Sequence, residues 1–479
     1  MSEKNVMAEI VERRKQDIAE RGYNFGFNIP EKRTRPINPF MAEKGAILEV
    51  KRASPSKGDI APGLNSAETA MKYAANGAGA ISCLTEENYF KGSLQDLMNV
   101  CNAVPDVAVL RKDFLIDEEE IDIAFRCGAD AVLLISGILS LEKMLSMTKR
   151  CKDLGIRALV EVRTMDDARK VLEVKKQYED TIVCGVNSRN LKDFTIDLLV
   201  PAMLKKALGG KVIFESGITT PEAAAKIGQM GFTGILLGEF AARAPEKAGA
   251  FVKAFKAADE DLYGQGLIKL AEKVSDRKNR GDKGDRPLVK ICGLTRLEDV
   301  QLADSLGADF TGFIFADGFG RNVYGERFAA MESGLKNIKA FKVAVVTDIN
   351  SKECAKAVEL VKSGVLDFIQ LHGIALEELT DEMRSVPHYF AVTSKTGIED
   401  NTGDKMFAAG EARFLQDCRV NVYAKTDHLW LAGGVTPENA NDLVKKFMPE
   451  LIDVSSGIEG EETGIKDAAK MKAFFQNLK

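Results

Sequence analysis

Along the whole chain, short apolar runs alternate with longer amphipathic segments. In the first half the runs begin near Ala46, Ala80, Val107, Ala131, Ala158, Ile182, Lys211 and Gly234, at steps of 23 to 34 residues. Such a step is the length of one strand plus one helix. In the second half they begin near Leu288, Phe310, Lys342, Asp367, His388, Arg413, Leu429 and Leu451. Glycines stand just before many of the runs: Gly77, Gly128, Gly155, Gly231, Gly307 and Gly364. A glycine there suits the left-handed residue that ends a helix. The order helix, glycine, strand, loop, helix belongs to parallel sheets with crossover helices. An open doubly wound sheet is one form of that pattern, but eight units in each half favour closure. The pattern predicts an α/β protein made of two tandem (β/α)8 TIM barrels.

The halves also share a motif. Glu215 to Glu222 reads ESGITTPE and Ala432 to Glu438 reads AGGVTPE, each after the seventh run of its set. In both, Thr followed by Pro-Glu is a helix-start signal. Between the halves, Ser275 to Pro287 reads SDRKNRGDKGDRP and holds no large apolar residue, so it is predicted to be a solvated linker. Domains are accordingly expected at 1–274 and 288–479, joined by 275–287. Ahead of the first strand, Met7 to Ala19 has the spacing of an extra amphipathic helix, expected over the first barrel or its mouth.

Composition narrows the class. With 479 residues the chain has room for about three average domains or two large ones. Apolar residues make up 45% and charged residues 29%, the mix of a soluble globular protein. No run approaches the ~20 apolar residues of a membrane span. Glu3, Lys4, Glu9 and Glu12 deny the amino terminus the apolar core of a secretory signal. The net charge of −5 argues against nucleic acid as a partner. The eight Cys include no CxxC pair, so neither a metal site nor a disulfide framework is expected, and the protein reads as cytoplasmic. All three histidines, His372, His388 and His428, lie in the second half. Acid–base chemistry in the first half therefore falls to Lys, Glu, Asp, Cys or Tyr.

Alternate residues of a strand share a face. In Ile47-Leu48-Glu49-Val50-Lys51, the apolar pair Leu48 and Val50 would meet the helices. Glu49 and Lys51 would then point into the barrel at the strand's carboxyl end, where barrel active sites lie. Lys112, Glu161, Asn187, Arg189 and Glu215 also end apolar runs. One charged residue at a strand end usually just begins a surface loop. Recurrence at the ends of strands 1, 3, 5, 6 and 7 of the first set is harder to explain that way. Two Lys and three Glu around one mouth can separate their protonation states by mutual charge and burial. Ser216, Gly217 and Gly238, after the seventh and eighth runs, suit either phosphate binding through backbone N–H groups or ordinary turns.

On these stretches the first half resembles indole-3-glycerol-phosphate synthase. The resemblance runs through ILEVKRASPSKG (47–58), AISCLTEENYFKGSLQDL (80–97), LRKDF (110–114), LVEV (159–162), GVNSRNL (185–191) and FESG (214–217). It implies an enzyme that closes an indole ring with loss of CO2 and water. By motif position, Lys112 is the general acid on the substrate carbonyl. Lys51 meets the carboxylate that leaves, and Glu161 is the second acid–base group. Glu49, Asn187 and Glu215 orient these groups and the substrate hydroxyls. Arg189 belongs beside the anthranilate ring. Ser54, Ser216, Gly217 and Gly238 fall in phosphate loops, and Phe90 and Phe114 in an apolar wall. The eighth turn, GEFAAR from Gly238, departs from the family's usual small residue, Leu and Met.

The second half is similar to phosphoribosylanthranilate isomerase through KICGLT (290–295), GFIF (312–315), QLHG (370–373), LAGGVTPENA (431–440), DVSSGIE (453–459) and GIKD (464–467). A lone Cys at a strand end is usually packing. The resemblance instead makes Cys292 a base and Asp417 an acid in an Amadori rearrangement. It places Arg321 and His372 against substrate, and Gly433, Gly434, Ser456 and Gly457 in phosphate loops. It implies small phosphorylated substrates and no cofactor or metal; the chain itself is expected to be a monomer. The stretch after Asp417 reads CRVNVYAKTDH, where the family carries a Gly-rich loop and a Phe-Asp-Trp helix start. The turn after the second strand is likewise changed, to Phe319-Gly320-Arg321. On the residues alone, a second barrel that only binds ligand or supports the first stays open beside a bifunctional enzyme.

Overall fold

In the computed structural model, which describes residues 6–189, 197–278, 286–424 and 426–478, both sets of runs close into eight-stranded parallel barrels. The first is built from β1 (Gly45–Val50), β4 (Ala80–Leu84), β5 (Ala108–Lys112), β6 (Ala131–Ile135), β7 (Arg157–Val162), β8 (Ile182–Asn187), β9 (Val212–Glu215) and β10 (Gly234–Leu237). The remaining pair, β2 (Ala53–Ser54) and β3 (Gly58–Asp59), forms a small antiparallel ribbon in the loop after β1. The second barrel comprises β11 (Leu288–Ile291), β12 (Phe310–Ile314), β13 (Phe341–Val346), β14 (Phe368–His372), β15 (His388–Ser394), β16 (Phe414–Cys418), β17 (Trp430–Ala432) and β18 (Leu451–Val454). Every barrel strand starts within one residue of its apolar run. The expected helix ends also hold: Gly155 takes φ 75° after the helix Leu141–Leu154, and its N–H donates to the carbonyls of Cys151 and Lys152.

The chain divides into two compact units, Met1–Asp259 and Glu260–Lys479. The helix Leu262–Lys278 falls in the second unit. Most of the predicted linker, 279–285, lies outside the described residues, as do Asn190 and Leu191 of the sixth motif.

Inside the first barrel, one face of each strand supplies an aliphatic layer that includes Ile47, Leu110, Leu133, Leu159, Val183, Ile213 and Leu236, with Met41 and Phe40 packed against it. Two residues further along the same faces come Glu49, Lys112, Glu161, Gly185 and Glu215, so strand parity alone stacks a polar ring on the dry layer. The helix α1 (Val6–Arg21) buries Ile10, Arg14 and Asp17. Arg14 donates to Glu120 at 2.7 Å and to Asp113 at 2.9 Å, which docks α1 beside the end of β5.

The second barrel fills the corresponding space with aromatic side chains. Phe310, Phe341, Phe368, Tyr389 and Trp430 form a closed cycle, neighbouring centroids lying 5.1 to 6.4 Å apart. Beyond this cycle lie Lys290, Gln370 and Asp453, all buried.

Candidate active site

Lys112 is the hub of the first mouth. Its Nζ lies 3.1 Å from Glu49 Oε2 and 3.1 Å from Glu215 Oε2. Burial opposes the ammonium, yet Glu49, Glu215 and Glu161 outweigh that and hold its pKa above the ordinary lysine range. Lys51 stands 3.4 Å from Glu49 Oε1 and 5.5 Å over the ring of Phe90, which lies 6.1 Å from Phe114. Burial raises Glu49, but Lys112 and Lys51 bring it below the usual carboxylate value. Glu161 is likewise raised by burial and brought lower by Arg163 and Lys112. Arg163 donates twice to Glu161 Oε1, at 2.8 and 2.5 Å. Asn187 donates to the other oxygen at 3.3 Å.

Glu215 behaves differently. Burial pushes it up, Lys112 opposes, and Glu161 pushes it up again, leaving it at about 7. Its Oε1 is buried with no hydrogen-bond partner among the described residues. One mouth thus holds ionised carboxylates beside a carboxyl that changes state near neutral pH, a division of labour suited to acid–base catalysis.

The loops close around this ring. Arg189 donates to Ser56 Oγ at 3.1 Å, joining the loops after β8 and β1. Ser54 is buried, with its hydroxyl 3.4 Å from that of Ser56. Ser216 and Gly217 are both left-handed, at φ 73° and 77°. A non-glycine residue in that region stores strain, and such strain gathers at ligand-binding sites. Gly238 begins the short helix Glu239–Arg243, and a Cβ there would stand 2.8 Å from Glu49 Oε1. Its backbone therefore packs directly against the Glu49 carboxylate. The structure brings every residue expected of the first barrel to this one end. Arg163 was not expected. The signal for it was its place two residues after Glu161.

In the second barrel Cys292 sits just past β11, 8% exposed. The room for its sulfur comes from Gly312, where a Cβ would lie 2.8 Å from Sγ. Asp417 lies near the end of β16, and a Cβ at Gly433 would stand 2.8 Å from its Oδ1. His372 ends β14; burial lowers its pKa while Asp417 raises it, leaving it below the ordinary histidine value. The ring Nδ1 lies 3.3 Å from Gln370 Nε2. Arg321 is held by Glu459 through two bonds of 2.6 and 2.7 Å, and Lys466 joins Glu459 at 3.2 Å. Gly433 and Gly434 are left-handed like Ser216 and Gly217. A Cβ at Gly457 would collide with the Val435 carbonyl, so the loops carrying Gly433 and Ser456 abut. Sequence reasoning did not single out Lys290, Gln370, Asp453, Glu459 or Lys466, although each lies inside a quoted motif.

Among the described residues no group of three His, Cys, Asp or Glu side chains is placed to hold a metal, and no helix is long and apolar enough to cross a membrane.

Charged and nucleophilic groups gathered at the carboxyl ends of parallel strands, beside loops fit for phosphate, define an enzyme of the (β/α)8-barrel class. Comparison with known proteins gives the family. Residues 7–255 match the model for indole-3-glycerol phosphate synthase, and the chain belongs to that family. Residues 289–477 match the model for N-(5'phosphoribosyl)anthranilate (PRA) isomerase. The indole-3-glycerol phosphate synthase of Exiguobacterium sibiricum is 34% identical over 54% of this chain and 100% of its own length. Similarity over both barrels extends to the multifunctional tryptophan biosynthesis protein of Schizosaccharomyces pombe, 32% identical over 90% of this chain and 59% of that one. It extends also to the tryptophan biosynthesis protein TrpCF of Vibrio parahaemolyticus, 29% identical over 90% of this chain and 84% of that one. The chain spans about three fifths of the length of the fungal relatives it matches, 59% and 63% in two of them.

Proposed function

We propose that the chain is a bifunctional enzyme of tryptophan biosynthesis, carrying out two consecutive steps as a cytoplasmic monomer on small phosphorylated substrates. The second barrel isomerises phosphoribosylanthranilate. The first closes the indole ring of the carboxyphenylaminodeoxyribulose phosphate so formed.

The observation that carries the synthase reading is Lys112, a partly buried ammonium within 3.1 Å of two carboxyl groups. It stays protonated until a substrate carbonyl replaces a carboxylate partner, and then donates its proton as the ring carbon attacks. Lys51 faces the carboxylate lost as CO2. Glu161, ionised and oriented by Arg163 and Asn187, takes a proton during loss of water. Glu49 fixes both lysines. Glu215 at about 7 is suited to pass a proton as well as to orient Lys112. Ser54, Ser216, Gly217 and Gly238 surround the phosphate, and Phe90, Phe114 and Arg189 the anthranilate ring.

For the isomerase, Asp417 protonates the ribose ring oxygen so that the ring opens to an imine. Cys292 removes the proton from the neighbouring carbon, and the enamine rearranges to the ketone. Gly433, Gly434, Ser456 and Gly457 hold the phosphate. Arg321 and His372 meet the rest of the substrate. The test is to supply the full-length chain with each substrate separately. Indoleglycerol phosphate is expected from the ketose directly and, by way of that ketose, from phosphoribosylanthranilate. Ring closure without isomerisation would reduce the second barrel to a support.

A further inference from the structure

The mouth of the second barrel contains a buried cation that the proposed acid–base pair leaves unexplained. Lys290 is fully buried and lies two residues before Cys292, on the same inward side of the chain. Its Nζ donates to Asp453 Oδ2 at 2.5 Å and to Gln370 Oε1 at 2.8 Å. Gln370 accepts as well from the Tyr389 hydroxyl at 3.0 Å. Asp453 Oδ1 is buried with no hydrogen-bond partner among the described residues. The neighbouring layer is aromatic, so an apolar side chain at 290 would pack there without the cost of burying charge. An ion pair kept in such a place is a poor device for stability.

We propose that Lys290 is a positioning residue: its ammonium stabilises the thiolate of Cys292, and Asp453 limits how strongly it does so. This rests on the reading of Cys292 as the isomerase base. The groups facing Cys292 are Lys290 on its own strand, Asp453 on β18, Lys466 beyond it, Arg321 from the loop after β12, and Tyr389 on β15. Arg321 and Lys466 share the single carboxylate of Glu459, which offsets one of their two positive charges, so Lys466 also draws the Cys292 thiol down, after Lys290. Burial pushes the Cys292 thiol up; the charge of Lys290 draws it down, while Asp453 raises it. In the reaction the substrate C–H bond breaks, an S–H bond forms, and the electron pair moves towards the imine nitrogen. Lys290 keeps its own proton throughout. It lowers the cost of the thiolate that must exist beforehand.

The test reads the thiol itself. Alkylation of Cys292 by iodoacetamide is followed against pH in the full-length chain, with the modified peptide quantified by mass spectrometry. Lys290→Met should move the midpoint up by ~1–3 pH units, the usual effect of an adjacent opposite charge. The acid limb of isomerase kcat/KM should move with it. Lys290→Arg should restore the wild-type midpoint. Asp453→Asn should move it the other way, to lower pH, and so keeps the proposal testable should Lys290→Met fail to fold. An unchanged midpoint in folded Lys290→Met, or an upward shift in Asp453→Asn, overturns the proposal. Cys292→Ala separates the underlying reading: full isomerase activity in that variant removes Cys292 as base whatever the midpoints show.

Discussion

In the first barrel the charged groups form a ring in which each is the counter-ion of another. Lys112 faces Glu49 and Glu215, Lys51 faces Glu49, and Arg163 faces Glu161. The layer beneath is aliphatic. In the second barrel the candidate acid and base stand apart, Asp417 on β16 and Cys292 after β11. Lys290, Gln370, Asp453, His372 and the Tyr389 hydroxyl are among the inward polar groups of that barrel. One fold thus arranges acid–base chemistry in two ways. A charge ring makes its protonation states collective, so one substitution alters several groups. A separated pair leaves each member to its own surroundings.

The largest expected effect tests the ring. Lys112→Ala removes the proposed acid and the shared partner of two carboxylates. Synthase turnover should fall by ~10²–10⁴-fold, the usual worth of a general acid, or further because its neighbours lose their counter-ion. Isomerase turnover in the same protein should stay at the wild-type level. Near-full synthase activity would place the acid elsewhere.

The second barrel should lose activity through either member of its pair. Cys292→Ala and Asp417→Asn are each expected to lower isomerase turnover by ~10²–10⁴-fold and to spare ring closure. The stretch after Asp417, CRVNVYAKTDH, is unlike the family's, so acidic residues elsewhere in the loops provide the control. Should Asp417→Asn turn over normally while a substitution at Asp348, Glu399, Asp400 or Asp427 does not, the acid lies on another loop.

These two sites were unequally legible in the sequence. Glu49, Lys51, Lys112, Glu161 and Glu215 could be read because strand parity puts them inward and each but Lys51, which follows Glu49, comes after an apolar residue of the same face. Lys290 and Asp453 obey the same parity, as Lys290 shares its side with Cys292, but a single Cys in the motif drew attention away from the cation beside it. The pairing of Arg321 with Glu459 joins residues 138 apart, and no local pattern announces it. Nor could the sequence tell Glu215 from Glu161. Both come at the carboxyl ends of strands, and it is Arg163, with Lys112 and Asn187, that holds Glu161 down, while burial and Glu161 itself push Glu215 up.

A smaller effect should come from the glycines that make room for reacting groups. A Cβ at Gly185 would run into Glu215 Oε1, and one at Gly312 would lie 2.8 Å from Cys292 Sγ. Displacement of a catalytic group by about 1 Å costs on the order of 10²-fold in rate. Gly185→Ala should therefore lower only ring closure, and Gly312→Ala only isomerisation, by roughly that factor at most. If either variant lowers both activities alike, the damage is to folding and the two mouths are not independent.

The smallest expected effect is on stability, and its sign follows from Glu215. Burial raises this carboxyl from 4.5 to about 7. A group raised on folding gives its full stability below the unfolded value, and that contribution is lost as pH rises through the folded one. The first unit should thus lose stability between about pH 4.5 and pH 7 on this group's account. Glu215→Gln keeps the shape, never ionises, and removes that loss. The variant should match the wild type at pH 5 and melt higher at pH 8, each recovered kcal/mol being worth ~2–4 °C for a unit of this size. The comparison is made on the difference between the two proteins, so titrations elsewhere cancel. Parallel melting temperatures from pH 5 to pH 8 would mean that Lys112 keeps Glu215 ionised throughout. Glu215 would then be one more fixed counter-ion, and the first mouth would hold no carboxyl poised near neutrality.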